Sequence, residues 1–241
     1  MTGPPFRDTL LARFDALRRA CEAAGCTGRW LGGRGKAPAF EIAPPATPAE
    51  VDATEAATGR PLPVAVRRAF LEVSRAVRVE WELPDGTRPP APLRRVTAGE
   101  CRWNLGAVPG LLATHHEWLE VFPNRDDWWD EKWHGTFPVL EVGNGDMLAV
   151  DLDPERTGGG EPIVYLSHDG DDALHGRRLA ADFVDYLDRL TRLGCPGSED
   201  WRLAPFVPPD RPCLDPDGPA AVAWRAWFGL NLPDAPAPAE T

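Results

Sequence analysis

The sequence predicts a globular protein that combines helices with antiparallel strands, and three observations indicate this. Apolar residues recur at helical spacing in several segments, and residues 77–83 alternate between apolar and polar in the way typical of a strand. Two apolar runs also flank the turn sequence Gly143-Asn144-Gly145. Hydrophobic residues make up 43% of the 241-residue chain and ten residues are tryptophan, which is enough apolar material for a core. The length suits one domain with extensions or two small domains.

Three helices are predicted in the N-terminal third of the chain. The first covers residues 6–24 and buries one face, which carries Phe6, Leu10, Phe14, Leu17 and Cys21. After a glycine-rich connection (28–40), Thr47-Pro48-Ala49-Glu50 forms a capping box that begins the second helix, and Gly59 ends it. Pro61-Leu62-Pro63 then begins a third helix, whose apolar face carries Val66, Phe70 and Val73.

Strands dominate the predictions for the middle of the chain. Residues 77–83 form a half-buried strand closed by a turn at 84–86, whereas Thr97-Ala98-Gly99-Glu100 is a second capping-box pattern and predicts the start of a helix. Residues 103–136 are rich in aromatic side chains and show no clear periodicity. The segments 137–142 and 146–152 are predicted to form a hairpin, and 162–168 adds an antiparallel third strand.

The C-terminal part is predicted to contain one clear helix, 181–193, which buries Phe183, Leu187 and Leu190. A proline-rich segment follows, with an aromatic island at 223–228 and a disordered end at 233–241. These patterns divide the chain into three parts. They are an N-terminal amphipathic helix with its glycine-rich connection (1–44), a central domain (45–195), and a C-terminal extension with a short aromatic helix (196–241).

The charge of the chain restricts the kinds of partner it can bind. The net charge is −11, and Lys36 and Lys132 are the only lysines, so arginine supplies almost all the positive charge. An acidic protein repels the phosphates of nucleic acid, and we therefore expect no nucleic-acid partner. The acidity suits a basic protein partner, or it serves only to keep the protein soluble.

The length of the apolar runs and the spacing of the cysteines indicate where in the cell the protein is located. No apolar run approaches the length that spans a bilayer, and the first 20 residues form a charged amphipathic helix rather than a signal peptide. The five cysteines, an odd number, show no CxxC spacing, which predicts neither a disulfide framework nor a zinc site. These features predict a cytoplasmic protein, without a membrane partner, whose cysteines are buried and reduced.

The acidic stretch 141–172 suggests a metal or catalytic centre at first sight, but its spacing argues against one. A calcium loop beginning at Asp151 would need glycine at the position of Arg156 and glutamate at the position of Pro162. The pair His116-Glu117 lacks the second histidine of a zinc-protease helix, because Glu120 stands there. We therefore predict no cofactor, metal or catalytic residue. The aspartates are expected to be solvated on a surface hairpin, with His168 bonded to the backbone.

The segment 123–134 is the strongest candidate for a partner-binding surface. It interleaves three tryptophans with four carboxylates, a pattern that fits neither a simple strand nor a simple buried helix. Tryptophan is enriched at binding hot spots, and neighbouring carboxylates attract a basic partner. The predicted partner-binding residues are Asp126, Asp127, Trp128, Trp129, Asp130, Glu131 and Trp133. In the alternative interpretation these tryptophans fix a long loop to the core.

Two ordered sets of motifs carry a family resemblance. In TPAEVDATEAATGRPLPVAVRRAFLEV (47–73), a capped acidic helix ends near a glycine, and Leu-Pro then leads into a helix with an aromatic–leucine pair. The residues at these positions are Glu50, Glu55, Gly59, Leu62, Pro63, Phe70 and Leu71. The second set is Gly145-Asp146, Asp151-Leu152, the strand 163–169, Asp182-Phe183 and Tyr186-Leu187. In order and spacing, residues 45–193 resemble the SUKH superfamily, which contains the fungal Smi/Knr-type cell-wall assembly regulators and many bacterial relatives.

This chain departs from the family pattern at three places. Ser74-Arg75-Ala76 replaces the Asn-Gly that often follows the third helix, residues 103–136 are longer and more aromatic, and both termini carry additions. The resemblance implies an α+β fold with a twisted, largely antiparallel sheet and helices packed against it. It also implies that a signature set has a structural role. That set is Gly59, Leu62, Pro63, Phe70, Gly145, Asp146, Asp151 and Phe183.

The resemblance also implies what the protein does. Bacterial members are often immunity proteins that neutralise toxins of polymorphic or contact-dependent systems, and fungal members are regulatory scaffolds. The leading expectation is a non-enzymatic immunity protein that binds a basic toxin domain. The first alternative is a regulatory scaffold protein of the cytoplasm. The second is a metal-assisted hydrolase that would use Asp146, Asp151 and His168.

Overall fold

The computed structural model describes residues 6–28, 37–169, 174–210 and 212–233. Three features discussed above fall wholly or partly outside the described residues. They are most of the glycine-rich connection, the end of the acidic stretch at 170–172, and the disorder predicted at the C-terminus, which lies beyond residue 233.

The N-terminal half of the described chain forms a three-stranded antiparallel sheet accompanied by three helices. The strands are β1 (Ala39–Ile42), β2 (Ala76–Glu82) and β3 (Ala98–Asn104), in that spatial order. The helices are α1 (Phe6–Ala24), α2 (Pro48–Thr58) and α3 (Val64–Glu72). The helix predicted over 6–24 and the strand predicted over 77–83 are confirmed, the strand with a shift of one residue.

The predicted capping box begins α2. The Thr47 hydroxyl accepts a hydrogen bond from the Glu50 N–H at 3.3 Å, and the Glu50 carboxylate accepts one from the Thr47 N–H at 2.7 Å. Gly59 ends the helix with a φ of 67°, a left-handed conformation that glycine adopts without steric cost. The Leu62 N–H then donates to Glu55 Oε1 at 3.0 Å, which fixes the turn into α3.

A distant carboxylate caps α3. Pro63 occupies the N-cap position and has no side-chain oxygen to accept from the first turn. Glu161, which is 97 residues further along the chain, accepts instead from the N–H groups of Val64 and Ala65, at 2.9 and 3.1 Å. A carboxylate at this end also interacts favourably with the helix dipole. This contact joins α3 to the second half of the molecule.

The predicted helix start at Thr97-Ala98-Gly99-Glu100 is wrong, because these residues lead into strand β3. The side chains of Cys101 and Trp103 are buried on either side of the half-buried Arg102, as expected for a strand. The seven residues of β3 pair in register with those of β2. Gly99 lies opposite Trp81 and leaves room for its indole ring. Continuous pairing with β2 therefore outweighs the local capping pattern.

The C-terminal half contains a four-stranded antiparallel sheet and six further helices among the described residues. The strands, in spatial order, are β4 (Thr136–Glu141), β5 (Met147–Asp151), β6 (Ile163–Leu166) and β7 (Arg178–Ala180). The hairpin and the antiparallel third strand are confirmed. The helices are α4 (Val108–Val121), α5 (Trp128–Glu131), α6 (Pro154–Thr157), α7 (Phe183–Arg192), α8 (Asp200–Leu203) and α9 (Pro219–Phe228).

One hydrophobic core joins the two sheets and both terminal parts of the described chain, from Leu10 in α1 to Leu230 after α9. Trp81 of β2 stacks on Phe228 of α9 at a centroid distance of 4.9 Å and on Trp224 at 6.0 Å. The helices and antiparallel sheets establish the predicted α+β class, with the strands divided between two sheets. Among the described residues, no helix is both long enough and apolar enough to cross a bilayer.

Candidate partner-binding surface

The predicted binding segment is an ordered loop between α4 and β4, shaped by its own carboxylates. Asp127 caps α5 by accepting from the N–H groups of Trp129 and Asp130 at 2.8 and 3.2 Å. Asp130 in turn accepts from the Asn124 N–H at 3.0 Å. The Asp126 side chain lies exposed. Local hydrogen bonds thus give the loop a defined conformation without the help of a partner.

Arg156 fastens this loop to the end of β5. Its guanidinium pairs with Asp151 at 2.7 Å, with Asp153 at 3.0 Å and with Glu131 at 3.3 Å. It also donates to the His134 carbonyl at 2.8 Å. Burial alone would lower the pKa of Arg156, but the carboxylates, Asp151 foremost, raise it instead. The charged guanidinium therefore holds Glu131 and its loop against the sheet.

Trp129 packs on the ring of His175. The two rings are parallel within 7° with their centroids 3.7 Å apart. The His175 Nδ1 accepts from the Ser167 N–H at 3.0 Å, so the proton of the neutral ring lies on Nε2, which donates to the Trp129 carbonyl at 2.9 Å. Burial lowers the pKa of His175 and favours this neutral form.

Trp128 is presented to solvent beside this stack. It is 60% exposed, and its ring meets those of Trp129 and His175 edge to face at 5.7 and 5.8 Å. We name the exposed and half-buried members of the predicted partner-binding set the Trp128 surface. It consists of Asp126, Asp127, Trp128, Trp129, Asp130 and Glu131. An exposed tryptophan on a fixed platform among carboxylates has the composition of a binding hot spot.

The third tryptophan of the loop has a different role. Trp133 is fully buried and stacks on Phe122 at 5.1 Å and beside Trp118 at 5.5 Å. The structure therefore removes Trp133 from the predicted partner-binding set, because its side chain has no surface to offer. For this residue the alternative interpretation is correct: it fixes the loop to the core.

The Gly-Asp hairpin contains a buried hydrogen-bonded carboxylate. Gly145 has a φ of 100°, and Asp146 accepts from the Tyr165 hydroxyl at 2.6 Å, from the His168 N–H at 3.0 Å and from Asn144 Nδ2 at 2.6 Å. His168 Nδ1 is also 2.6 Å from the carboxylate. Burial would raise the pKa of Asp146, but the hydrogen bonds, that from Tyr165 foremost, lower it.

Two expectations for this stretch are corrected. Asp146 and Asp151 are buried rather than solvated, because each has enough hydrogen-bond donors to compensate for lost water. The ring of His168 bonds to the Asp146 side chain rather than to the backbone, because Nδ1 faces this carboxylate just before the start of the neighbouring strand β5.

The proposed hydrolase centre is not assembled as a whole: Asp146 and His168 contact each other, but Asp151 lies apart from them. Asp146 precedes β5 and Asp151 ends it, so the rise of a strand places them roughly 16 Å apart. Asp151 is bound by Arg156, whereas Asp146 is bound by Tyr165 and His168. Within the described part of the chain, no three His, Cys, Asp or Glu side chains are grouped so as to hold a metal. The five thiols are all buried.

Arg156 and His175 were not predicted as supports of the Trp128 surface. For Arg156 a signal was present, because an arginine that closely follows Asp151, Asp153 and Glu155 is well placed to pair with a neighbouring carboxylate. For His175 there was none, since its contact with Trp129 spans 46 residues.

Comparison with known proteins agrees with this architecture. Residues 45–189 match the model of the SMI1 / KNR4 family (SUKH-1). No curated protein and no solved structure matches the chain. The matched region includes the capped α2, the Gly-Asp hairpin and most of α7, and it covers more than half of the 241 residues. The chain therefore belongs to the SMI1 / KNR4 family (SUKH-1).

Proposed function

We propose that this chain is a non-enzymatic immunity protein of the bacterial cytoplasm, which binds and neutralises a basic toxin domain through the Trp128 surface. Family membership supports a protein-binding role of the immunity or regulatory type. The single observation that carries the proposal is Trp128 itself. It is an exposed tryptophan held on the Trp129–His175 stack and surrounded by carboxylates.

Rigidity and charge both favour binding at this surface. The loop is fixed in advance by Arg156, Asp127 and Trp133, so little conformational entropy is lost when a partner binds. The net charge of −11 attracts a basic domain over a distance and raises its association rate. A partner that covers Trp128 would bury its indole ring at the centre of the contact, and this burial would supply much of the binding energy.

Affinity purification of the tagged protein from its native cells tests the proposal. We expect one basic polypeptide to be recovered in stoichiometric amount. Trp128→Ala should weaken its binding by more than tenfold, because truncation of a hot-spot residue costs about 2 kcal/mol or more. Trp227→Ala is the matched control, since it removes a 38% exposed tryptophan from α9. Undiminished binding by the Trp128 variant would refute the assigned surface.

The same family match supports a second candidate, a regulatory scaffold with an endogenous partner. Co-expression separates the two. An immunity protein rescues cells that produce the captured polypeptide, whereas a scaffold forms a stable complex with a protein that does no harm. Rescue that disappears with Trp128→Ala and persists with Trp227→Ala would support both the immunity function and the assigned surface.

A further inference from the structure

An open cleft of about 660 Å³ lies beside α4, between its exposed face and the segment that contains α6. Its walls combine apolar side chains, Leu112 and Leu119 among them, with two arginines and three histidines. The proposed partner surface does not use these residues. The arginines, Arg60 and Arg125, come from the end of α2 and from the loop that follows α4.

Arg60 is a half-buried cation that forms no ion pair with a carboxylate in the described part of the chain. Its guanidinium carbon lies 4.8 Å from the centroid of the Phe137 ring, so an aromatic face supports one side of it. Burial lowers the pKa of Arg60, and no carboxylate in the described part of the chain offsets that effect. Arg156 and Arg13, which are also partly buried, each pair with at least one aspartate. A cation desolvated in this way binds an anion favourably.

Arg125 adds a second unpaired charge to the same cleft, since it makes no ion pair within the described ranges. Two carboxylates also line the cleft. The Asp153 carboxylate accepts from Arg156 at 3.0 Å and from the Glu155 N–H at 2.8 Å, so both of its oxygens already have donors. The cleft therefore combines two arginines that form no ion pair in the described part of the chain with two carboxylates, one of which is already bonded to Arg156.

Three histidines also line the cleft. His115 is buried, and burial lowers its pKa to about 4, so the ring is neutral. Its Nε2 lies 2.9 Å from the Thr136 hydroxyl and 3.1 Å from the Trp133 carbonyl. His134 donates from Nε2 to the Phe122 carbonyl at 2.8 Å. His116 is exposed on the rim, 4.0 Å from Glu120.

We propose that this cleft binds a small organic phosphate, with the phosphate group at Arg60 and Arg125 and the organic body against Leu112 and Leu119. A phosphate monoester carries between one and two negative charges at neutral pH, which matches two unpaired guanidinium groups. Arginine presents its N–H groups in a planar fork suited to phosphate oxygens. The apolar wall favours an ester over the bare ion.

Calorimetric titration of the isolated protein with phenyl phosphate, inorganic phosphate and phenol tests this site without any protein partner. Phenyl phosphate is expected to bind most tightly and phenol not at all. Arg60→Gln and Arg125→Gln should each weaken binding of phenyl phosphate about tenfold or more, because each removes charge-assisted hydrogen bonds. Arg88→Gln, an exposed arginine on the loop after β2, is the matched control and should bind like the unmodified protein.

Three results would overturn the proposal. They are no binding of phenyl phosphate at millimolar concentration, equal affinity for phenyl phosphate and inorganic phosphate, or unchanged affinity in both cleft variants. Arg125 is exposed, so its replacement leaves the fold intact even if that of Arg60 does not. Circular dichroism of each variant establishes this before titration.

Discussion

Asp146 and His168 are joined twice, because one carboxylate oxygen lies 3.0 Å from the His168 main-chain nitrogen and 2.6 Å from its Nδ1. Both nitrogens donate, since a carboxylate only accepts. The other oxygen accepts from Tyr165, whose hydroxyl in turn accepts from the Asp200 N–H at 3.0 Å. The carboxylate thus connects the hairpin turn, the end of β6 and the start of α8. Its contacts support the structural role that family resemblance implies for the Gly-Asp motif.

Replacement of Asp146 should therefore destabilise the fold. Asp146→Ala leaves the Tyr165 hydroxyl and the His168 N–H without their acceptor, and we expect the free energy of unfolding to fall by about 3 kcal/mol. Urea denaturation measures the change. Asp169→Ala is the control, since that side chain is 81% exposed and its loss should cost less than about 0.5 kcal/mol. Equal effects of the two substitutions would contradict the structural role.

Stability should fall in acid because of His115. Burial lowers its pKa from 6.5 to about 4 in the folded protein. Between these values the unfolded chain binds a proton that the folded protein does not, so the free energy of unfolding decreases as the pH falls from 6.5 toward 4. The expected loss is about 3 kcal/mol, measured by urea denaturation at a series of pH values.

Two variants isolate this contribution. His115→Gln should flatten most of the pH dependence between pH 6.5 and 4, and the remaining slope of this sign is expected from His175, whose pKa burial also lowers. His116→Gln alters the neighbouring side chain, which is 76% exposed, and should keep the slope of the unmodified protein. A slope as steep in the His115 variant as in the unmodified protein would mean that the His115 ring is charged or solvated in the fold.

Trp133 and Trp128 of the loop should differ in their effect on stability. Trp133→Ala opens a cavity among Trp118, Phe122 and β5 and should cost about 4 kcal/mol. Trp128→Ala removes a 60% exposed ring and should cost less than about 1 kcal/mol. Thermal or urea denaturation compares the two directly. Similar losses would show that Trp128 belongs to the core and would weaken its assignment to a partner surface.

The sequence predicted those elements whose signals are local. The capping box at Thr47, the left-handed Gly59 and the Gly-Asn-Gly turn each act within a few residues, and all three occur as predicted. Strand β3 was missed because its pairing with β2 reaches across about twenty residues and overrides the capping pattern at Thr97. Helix α4 was missed for another reason. It leaves most of its surface exposed and so lacks a regular apolar face.

Prediction of the site was likewise limited to what local sequence signals can show. The exposure of Trp128 and the burial of Trp133 follow from where α4 and β5 lie, and tryptophan at either position looks alike in sequence. The support from His175 and the pairing of Asp146 with His168 depend on contacts across β5 and β6. Residue type therefore located the loop, and tertiary packing determined which of its side chains reach solvent.

Two glycine-to-alanine substitutions should change stability in opposite directions. A Cβ at Gly99 would lie 2.0 Å from the Cys195 carbonyl oxygen and 2.4 Å from the Trp81 ring, both inside the core. Either β3 or the main chain at Cys195 must therefore move. We expect a loss of roughly 3 kcal/mol or more. A Cβ at Gly110, in the first turns of α4, meets nothing within 4 Å.

Gly110→Ala should therefore stabilise the protein, by about 0.5–1 kcal/mol, because alanine loses less backbone entropy than glycine when a helix forms. Urea denaturation of both variants at neutral pH compares them under one condition. Tolerance of Gly99→Ala would show that β3 does not lie against Trp81 as described. Destabilisation by Gly110→Ala would show that this face of α4 is covered rather than open. The pair thus tests the position of β3 and the exposure of α4, two of the elements that local sequence patterns did not predict.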